Sequence, residues 1–133
     1  MTRMSEALAP FHPHTRSWFE SSFPAATDVQ TRSWPVIAAG GHALITAPTG
    51  SGKTLTAFLW ALDAFAAGRY KSGATRVLYI SPLKALNNDI QRNLLQPLDA
   101  LRTRFETAGD TFPPIRVLVR SGDTRSRDRK SVV

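Results

Sequence analysis

Cysteine is absent from this sequence, which excludes disulfides and thiolate metal ligands and leaves the chain compatible with a reducing, cytoplasmic setting. No apolar run approaches the length of a membrane span, so no membrane partner is expected. The opening Met1-Thr2-Arg3-Met4-Ser5-Glu6 lacks the apolar core of a signal peptide. Internal repeats and low-complexity tracts are missing too. Acidic residues are few, 10 Asp and Glu against 17 Lys and Arg, for a formal charge of +7. That excess favours a polyanionic partner such as nucleic acid. What remains, 133 residues with 42% hydrophobic, is enough for one small domain with a core.

One stretch organises the rest: Ala47-Pro48-Thr49-Gly50-Ser51-Gly52-Lys53-Thr54. It lies between an apolar run, 42–47, and a helical pattern that begins at Lys53. Strand, glycine loop and helix form the context of a phosphate-binding P-loop. Gly50 and Gly52 allow a tight turn with no Cβ in the way of a phosphate. Successive N–H groups then form an anion nest, and the helix adds its positive dipole end. In such a loop Lys53 places a charge on the β- and γ-phosphates of ATP, and Thr54 offers its hydroxyl to Mg²⁺. Position 47 is alanine where the general pattern has glycine, which is tolerable if φ there is negative. The plain alternative is a Gly/Ser-rich turn ahead of a helix.

Taken in order, residues 1–14 read as an N-terminal arm, with Pro10 and Pro13 opposing a continuous helix and Phe11 as its anchor. Residues 15–22 read as a short helix that turns Trp18 and Phe19 inward. Thr27-Asp28-Val29-Gln30 has capping-box spacing and opens a helix over 27–39, with Trp34, Ile37 and Ala38 on one face. Pro35 should kink or split that helix. After the P-loop, Leu55, Phe58, Leu59, Leu62, Phe65 and Ala66 share a side, while Trp60, Ala61 and Ala64 make the other face apolar too. A helix of that kind is buried on more than one side.

The run Arg76–Ser81 suits a parallel strand covered on both faces. A helix is expected from about Lys84, with Leu86, Ile90, Leu94, Leu98, Leu101 and Phe105 at helical spacing and a bend at Pro97. Residues 115–120 read as a third strand, followed by a polar, basic end. The expected fold class is therefore α/β: a partial parallel sheet with flanking helices, built from two right-handed βαβ units.

Four pieces in order carry a family resemblance: Trp34-Pro35 after Gln30, the loop at 47–54, the segment Val77–Ile90, and Val119-Arg120-Ser121-Gly122-Asp123-Thr124. Together they resemble superfamily 2 helicases and, within them, the large helicase-related (Lhr) family of DEAD/DEAH-box proteins. The resemblance spans about residues 11–130 and accounts for Ala47, since these helicases commonly carry alanine there. It implies a RecA-like P-loop NTPase fold, with residues 15–133 as the N-terminal part of helicase domain 1. It implies that Lys53 and Thr54 serve ATP and Mg²⁺, and that Gln30 reads the adenine edge, a role that competes with helix capping. Pro82, Leu83 and Lys84 resemble a segment that lines the nucleic-acid track, and Gly122 and Asp123 resemble the next track-side turn. On spacing alone Lys84 is a solvated lysine in a strand-to-helix turn. Arg120, Arg125, Arg127, Arg129 and Lys130 either face phosphates there or form a solvated basic end.

No Asp-Glu pair follows an apolar strand in this sequence, although such a pair would hold Mg²⁺ and position the attacking water. The reading is thus the ATP-binding portion of an ATP-dependent helicase or translocase that ends before the DEAD/DEAH motif. Its partners are ATP, a single-stranded or duplex nucleic-acid backbone and the C-terminal helicase regions, and the resemblance suggests DNA or RNA–DNA unwinding in repair. In RecA-like sheets the P-loop strand lies between strands that come later, so its edges are expected to lie unpaired here. Two rivals stand beside this reading: a P-loop enzyme of another class, such as a small-molecule kinase, and a remnant that binds nucleotide or nucleic acid without turnover.

Overall fold

A computed structural model describes residues 3–81 and 87–120. Its regular backbone is a set of helices: α1 (Arg3–Ala7), α2 (Pro13–Ser22), α3 (Asp28–Ala38), α4 (Lys53–Ala66), α5 (Asn87–Ile90), a π-helical turn (Gln91–Leu95) and α6 (Gln96–Thr107). Each starts where local chemistry allows. Pro13 opens α2, where a missing N–H costs nothing, and the His12 ring nitrogen Nδ1 accepts from the His14 N–H at 3.1 Å. Thr27 opens α3 through a complete capping box with Gln30. Gly52, at φ +83°, opens α4 without any side-chain cap.

The core is built mainly from these helices, with Leu8 and Phe11 added from the turn between α1 and α2. Trp34, Phe19, Leu59, Leu62 and Leu101 are fully buried, with Leu55, Trp18 and Leu98 around them. Trp34 meets Phe11 and Phe19 edge to face, at centroid distances of 4.9 and 5.5 Å. Its indole N–H, buried with it, donates to the Thr56 carbonyl of α4 at 3.0 Å. The expected two-sided burial of α4 is present: Leu55, Phe58, Leu59, Leu62, Asp63 and Ala64 are all buried.

Several expectations are corrected. Within residues 1–14 the helix is interrupted between Ala7 and Pro13 and Phe11 is buried, as expected, but Leu8 is buried as well and α2 begins at Pro13, two residues earlier than the expected helix over 15–22. Proline blocks a helix interior but fits a first turn. Pro35 does not split α3, since it lies on the exposed side and buried Trp34 holds the helix against α4. Ala38 is exposed rather than core-facing. The helix expected from about Lys84 runs without a break over the described residues 87–107, but with a π-helical turn inside it. The Gln96 N–H donates to the Gln91 carbonyl, five residues back, in the turn just before Pro97, which has no N–H to continue an ordinary ladder.

The expected partial parallel sheet is not formed among the described residues. Segments 42–47, 76–81 and 115–120 are neither helical nor joined in a β-ladder among the described residues. Each strand needs a neighbour to take its N–H and C=O groups, and none is aligned for it here. Their side chains still alternate with the period of a strand. Ile115 and Val117 pack against the helical core, and Tyr79 meets Phe58 of α4 at 4.8 Å between ring centroids. The alternate residues Leu44, Leu78 and Ile80 are 92%, 79% and 81% exposed. The helices therefore cover one face of the three segments and leave the other bare.

Candidate functional site

The glycine loop lies at the start of α4, held from both sides. Gly50 and Gly52 adopt φ of +84° and +83°, which a side chain would strain. A Cβ on Gly52 would stand 2.6 Å from Nε2 of Gln30, so only glycine lets α3 and the loop approach this closely. Among the described residues none other than glycine has positive φ, and Ala47 therefore takes its place without strain. The Lys53 ammonium donates to the Ala47 carbonyl across the loop. Thr56 closes the first turn of α4, its hydroxyl donating to the Gly52 carbonyl at 2.7 Å. Thr54 is half-buried on the same turn.

Below the loop, Thr27 Oγ1 donates to the Ser51 carbonyl at 2.8 Å and accepts from the Gln30 N–H at 3.3 Å. Oε1 of Gln30, nearly fully buried, accepts from the Thr27 N–H at 2.9 Å. The capping role weighed for Gln30 is thus occupied, which leaves Nε2, beside Gly52, as its remaining donor group. Ser51 Oγ is buried and has no hydrogen-bond partner. A buried hydroxyl without a partner in a concave glycine loop fits a loop made to meet a ligand.

The far end of α4 carries a charge that sequence inspection missed. Asp63 is fully buried, accepts the His12 N–H at 3.0 Å and pairs with Arg69 at 2.6 Å. Arg69 also lies over the Trp60 ring. Beside this, His14 Nε2 meets Asp110 at 2.6 Å. The pKa of His12 is lowered, first by burial and then by neighbouring His14, against the opposing pull of Asp63 and Asp110. Among the described residues, no group of three or more His, Asp and Glu could hold a metal ion.

The structure brings Gln30, Thr49, Gly50, Ser51, Gly52, Lys53 and Thr54 into one neighbourhood, with Ala47 and Pro48 leading in. Pro82, Leu83, Lys84, Gly122 and Asp123 lie outside the described residues, as do Arg125, Arg127, Arg129 and Lys130. Arg120 is described and exposed.

A family model for the DEAD/DEAH box helicases matches residues 27–128. The chain belongs to this family. This DEAD/DEAH box chain is 46% identical over 133 residues to the Lhr helicase/probable uracil glycosylase of Mycolicibacterium smegmatis, a match that covers 99% of the chain and 9% of that protein. It is 38% identical to the ATP-dependent helicase Lhr-Core of Sulfolobus acidocaldarius, across 96% of the chain and 14% of that relative. The chain thus spans about a tenth of the length of these curated relatives. Among solved structures it is similar to the Mycobacterium smegmatis helicase Lhr bound to ssDNA and AMP-PNP, with TM-score 0.84 and 46% identity over 96% of this chain and 16% of that one. That likeness and the family match carry the RecA-like character of the fold. No helix of the described residues is long and apolar enough to cross a membrane.

Proposed function

We propose that this chain is the ATP-binding portion of an ATP-dependent helicase or translocase acting on nucleic acid. The observation that carries this is the glycine loop, whose two positive-φ glycines run directly into the uncapped start of α4 with Lys53 folded across the hollow. An uncapped helix start with Cβ-free backbone before it suits a phosphate chain. Residues 47–54 hold the phosphates, Lys53 neutralises them, and Thr54 supplies a hydroxyl to Mg²⁺. When bound, Mg²⁺ would neutralise the developing phosphate charge. Gln30 Nε2 is the group there able to donate to the base.

Relatives of the same kind support the remainder of the reading. The similar solved helicase is described with ssDNA and AMP-PNP, and we assign nucleic-acid backbone contacts to Pro82, Leu83, Lys84, Gly122 and Asp123 on family resemblance. Binding of this kind is sequence-tolerant and weakens with salt. Segments 42–47, 76–81 and 115–120 become parallel strands once further strands pair with them, and DNA or RNA–DNA unwinding in repair belongs to the complete assembly. The bare apolar face favours binding without turnover by the chain alone.

Calorimetry of ATP with Mg²⁺ tests the proposal. The unmodified chain is expected to bind, and Lys53→Ala to lose binding by at least about tenfold. Equal binding by both would remove the P-loop from the mechanism.

A further inference from the structure

We propose that Arg92, with Asn93 and Gln96, forms a wall that holds the nucleoside half of a nucleotide seated on the glycine loop. The inference rests on the nucleotide reading of that loop and extends it to residues outside the matched motif. Phosphates occupy the nest, so base and ribose must leave it sideways. Two hollows flank the loop. One, of about 470 Å³, is lined in part by Asp28, Arg32, Val36 and Leu44. Its guanidinium is 3.7 Å from the Asp28 carboxylate, and that carboxylate opposes a polyanionic ligand. The other, of about 650 Å³, opens against Gly50 and Gly52 and has no acidic residue among the described residues that line it.

This second hollow has the chemistry of a nucleoside site. Phe23, Trp18, Leu55 and Pro97 give it apolar walls against which a flat base can lie. Gln30 stands on one side, but its Oε1 is taken by the Thr27 N–H, so it cannot read a base edge with both donor and acceptor. Asn93 and Gln96, from the π-helical turn and the start of α6, offer two further amides. Arg92 stands beside them, exposed, and no hydrogen bond or ion pair engages it among the described residues. Its guanidinium N–H donors suit the ribose hydroxyls.

The backbone supplies an independent reason to look here. Arg92 and Asn93 belong to the π-helical turn, and Gln96 is the residue whose N–H reaches back to Gln91. π-helical turns inside α-helices are rare and occur often at functional sites. The insertion changes the angular register between α5 and α6, so Arg92 and Asn93 can face the loop while Leu98 and Leu101 keep their places in the core. The same turn follows the Ser81–Ile90 segment directly, so a nucleotide that engages Arg92 touches the helix leading from the segment assigned to nucleic acid.

The test compares ATP with inorganic triphosphate, each with Mg²⁺, by calorimetry on the full chain. Arg92→Ala is expected to weaken ATP about tenfold and leave triphosphate unchanged, with Arg92→Lys restoring part of the loss. Asn93→Ala is expected to narrow the preference for ATP over GTP. Unchanged ATP affinity in Arg92→Ala, or an equal loss for ATP and triphosphate, overturns the proposal. Lys53→Ala should lose both ligands; if it keeps both, or if the unmodified chain binds neither, the nucleotide reading itself fails and this inference goes with it. Because Arg92 is exposed and unpaired, its variants should melt like the parent, and an altered melt in both Arg92 variants would mark the residue as structural and also count against the proposal.

Discussion

The three strand-like segments of this chain are richer in apolar residues than most of its helices, yet the helices are the better covered. Trp34, Phe19 and Leu59 are fully buried, while Leu44, Leu78 and Ile80 stand in solvent. A helix satisfies its own backbone and needs only a partner for one stripe of side chains. A strand needs neighbours for its backbone and covers for both faces. The helices find what they need inside these residues, and the strand-like segments find one cover and no edge.

Mutations can sharpen that contrast. Trp34→Ala should cost about 3–5 kcal/mol by chemical denaturation, since it empties a packed site and leaves the Thr56 carbonyl without its donor. Ile80→Ala, at a residue just as apolar, should stay within about 0.5 kcal/mol. Equal losses would mean that the bare face is covered in solution. Next in size is Asp63→Ala, expected to cost about 2 kcal/mol. It strands the His12 N–H, although Arg69 is 38% exposed and can turn to water. A loss below the scatter of the measurement would show that α2 does not depend on α4 for its position.

The smallest effect is a pH dependence. The folded state depresses the pKa of His12, so unfolded chains take up the proton first as pH falls. The stabilisation is complete above the ordinary histidine value near 6.5 and fades as pH drops through the lowered folded value. A small loss of stability should appear by pH 5, and His12→Asn, which keeps a helix-capping acceptor, should flatten the profile. An unchanged profile would place the titration elsewhere.

The glycine loop and the helix start behind it were legible in the sequence because their signal is local: two glycines, a lysine and a threonine at fixed spacing. The capping box at Thr27 was legible for the same reason. Asp63 was not, since a buried carboxylate in an apolar helix looks like one stray polar residue until His12 and Arg69 converge on it from other parts of the chain. Pro97 suggested a bend but not a π-helical turn, which depends on how Leu94 and Leu98 reach the core together. The strands were read from apolar content, and content alone cannot say whether an edge finds a partner.

Thr27 uses a single oxygen twice, donating to the loop at Ser51 and accepting from the first turn of α3. Two regions that could fray separately are thereby merged into one cooperative unit. The loop cannot swing away without uncapping a helix that carries the central tryptophan. Amide protons at the start of α3 and in the loop should therefore exchange with solvent on a common clock, and a ligand that quiets one would quiet the other.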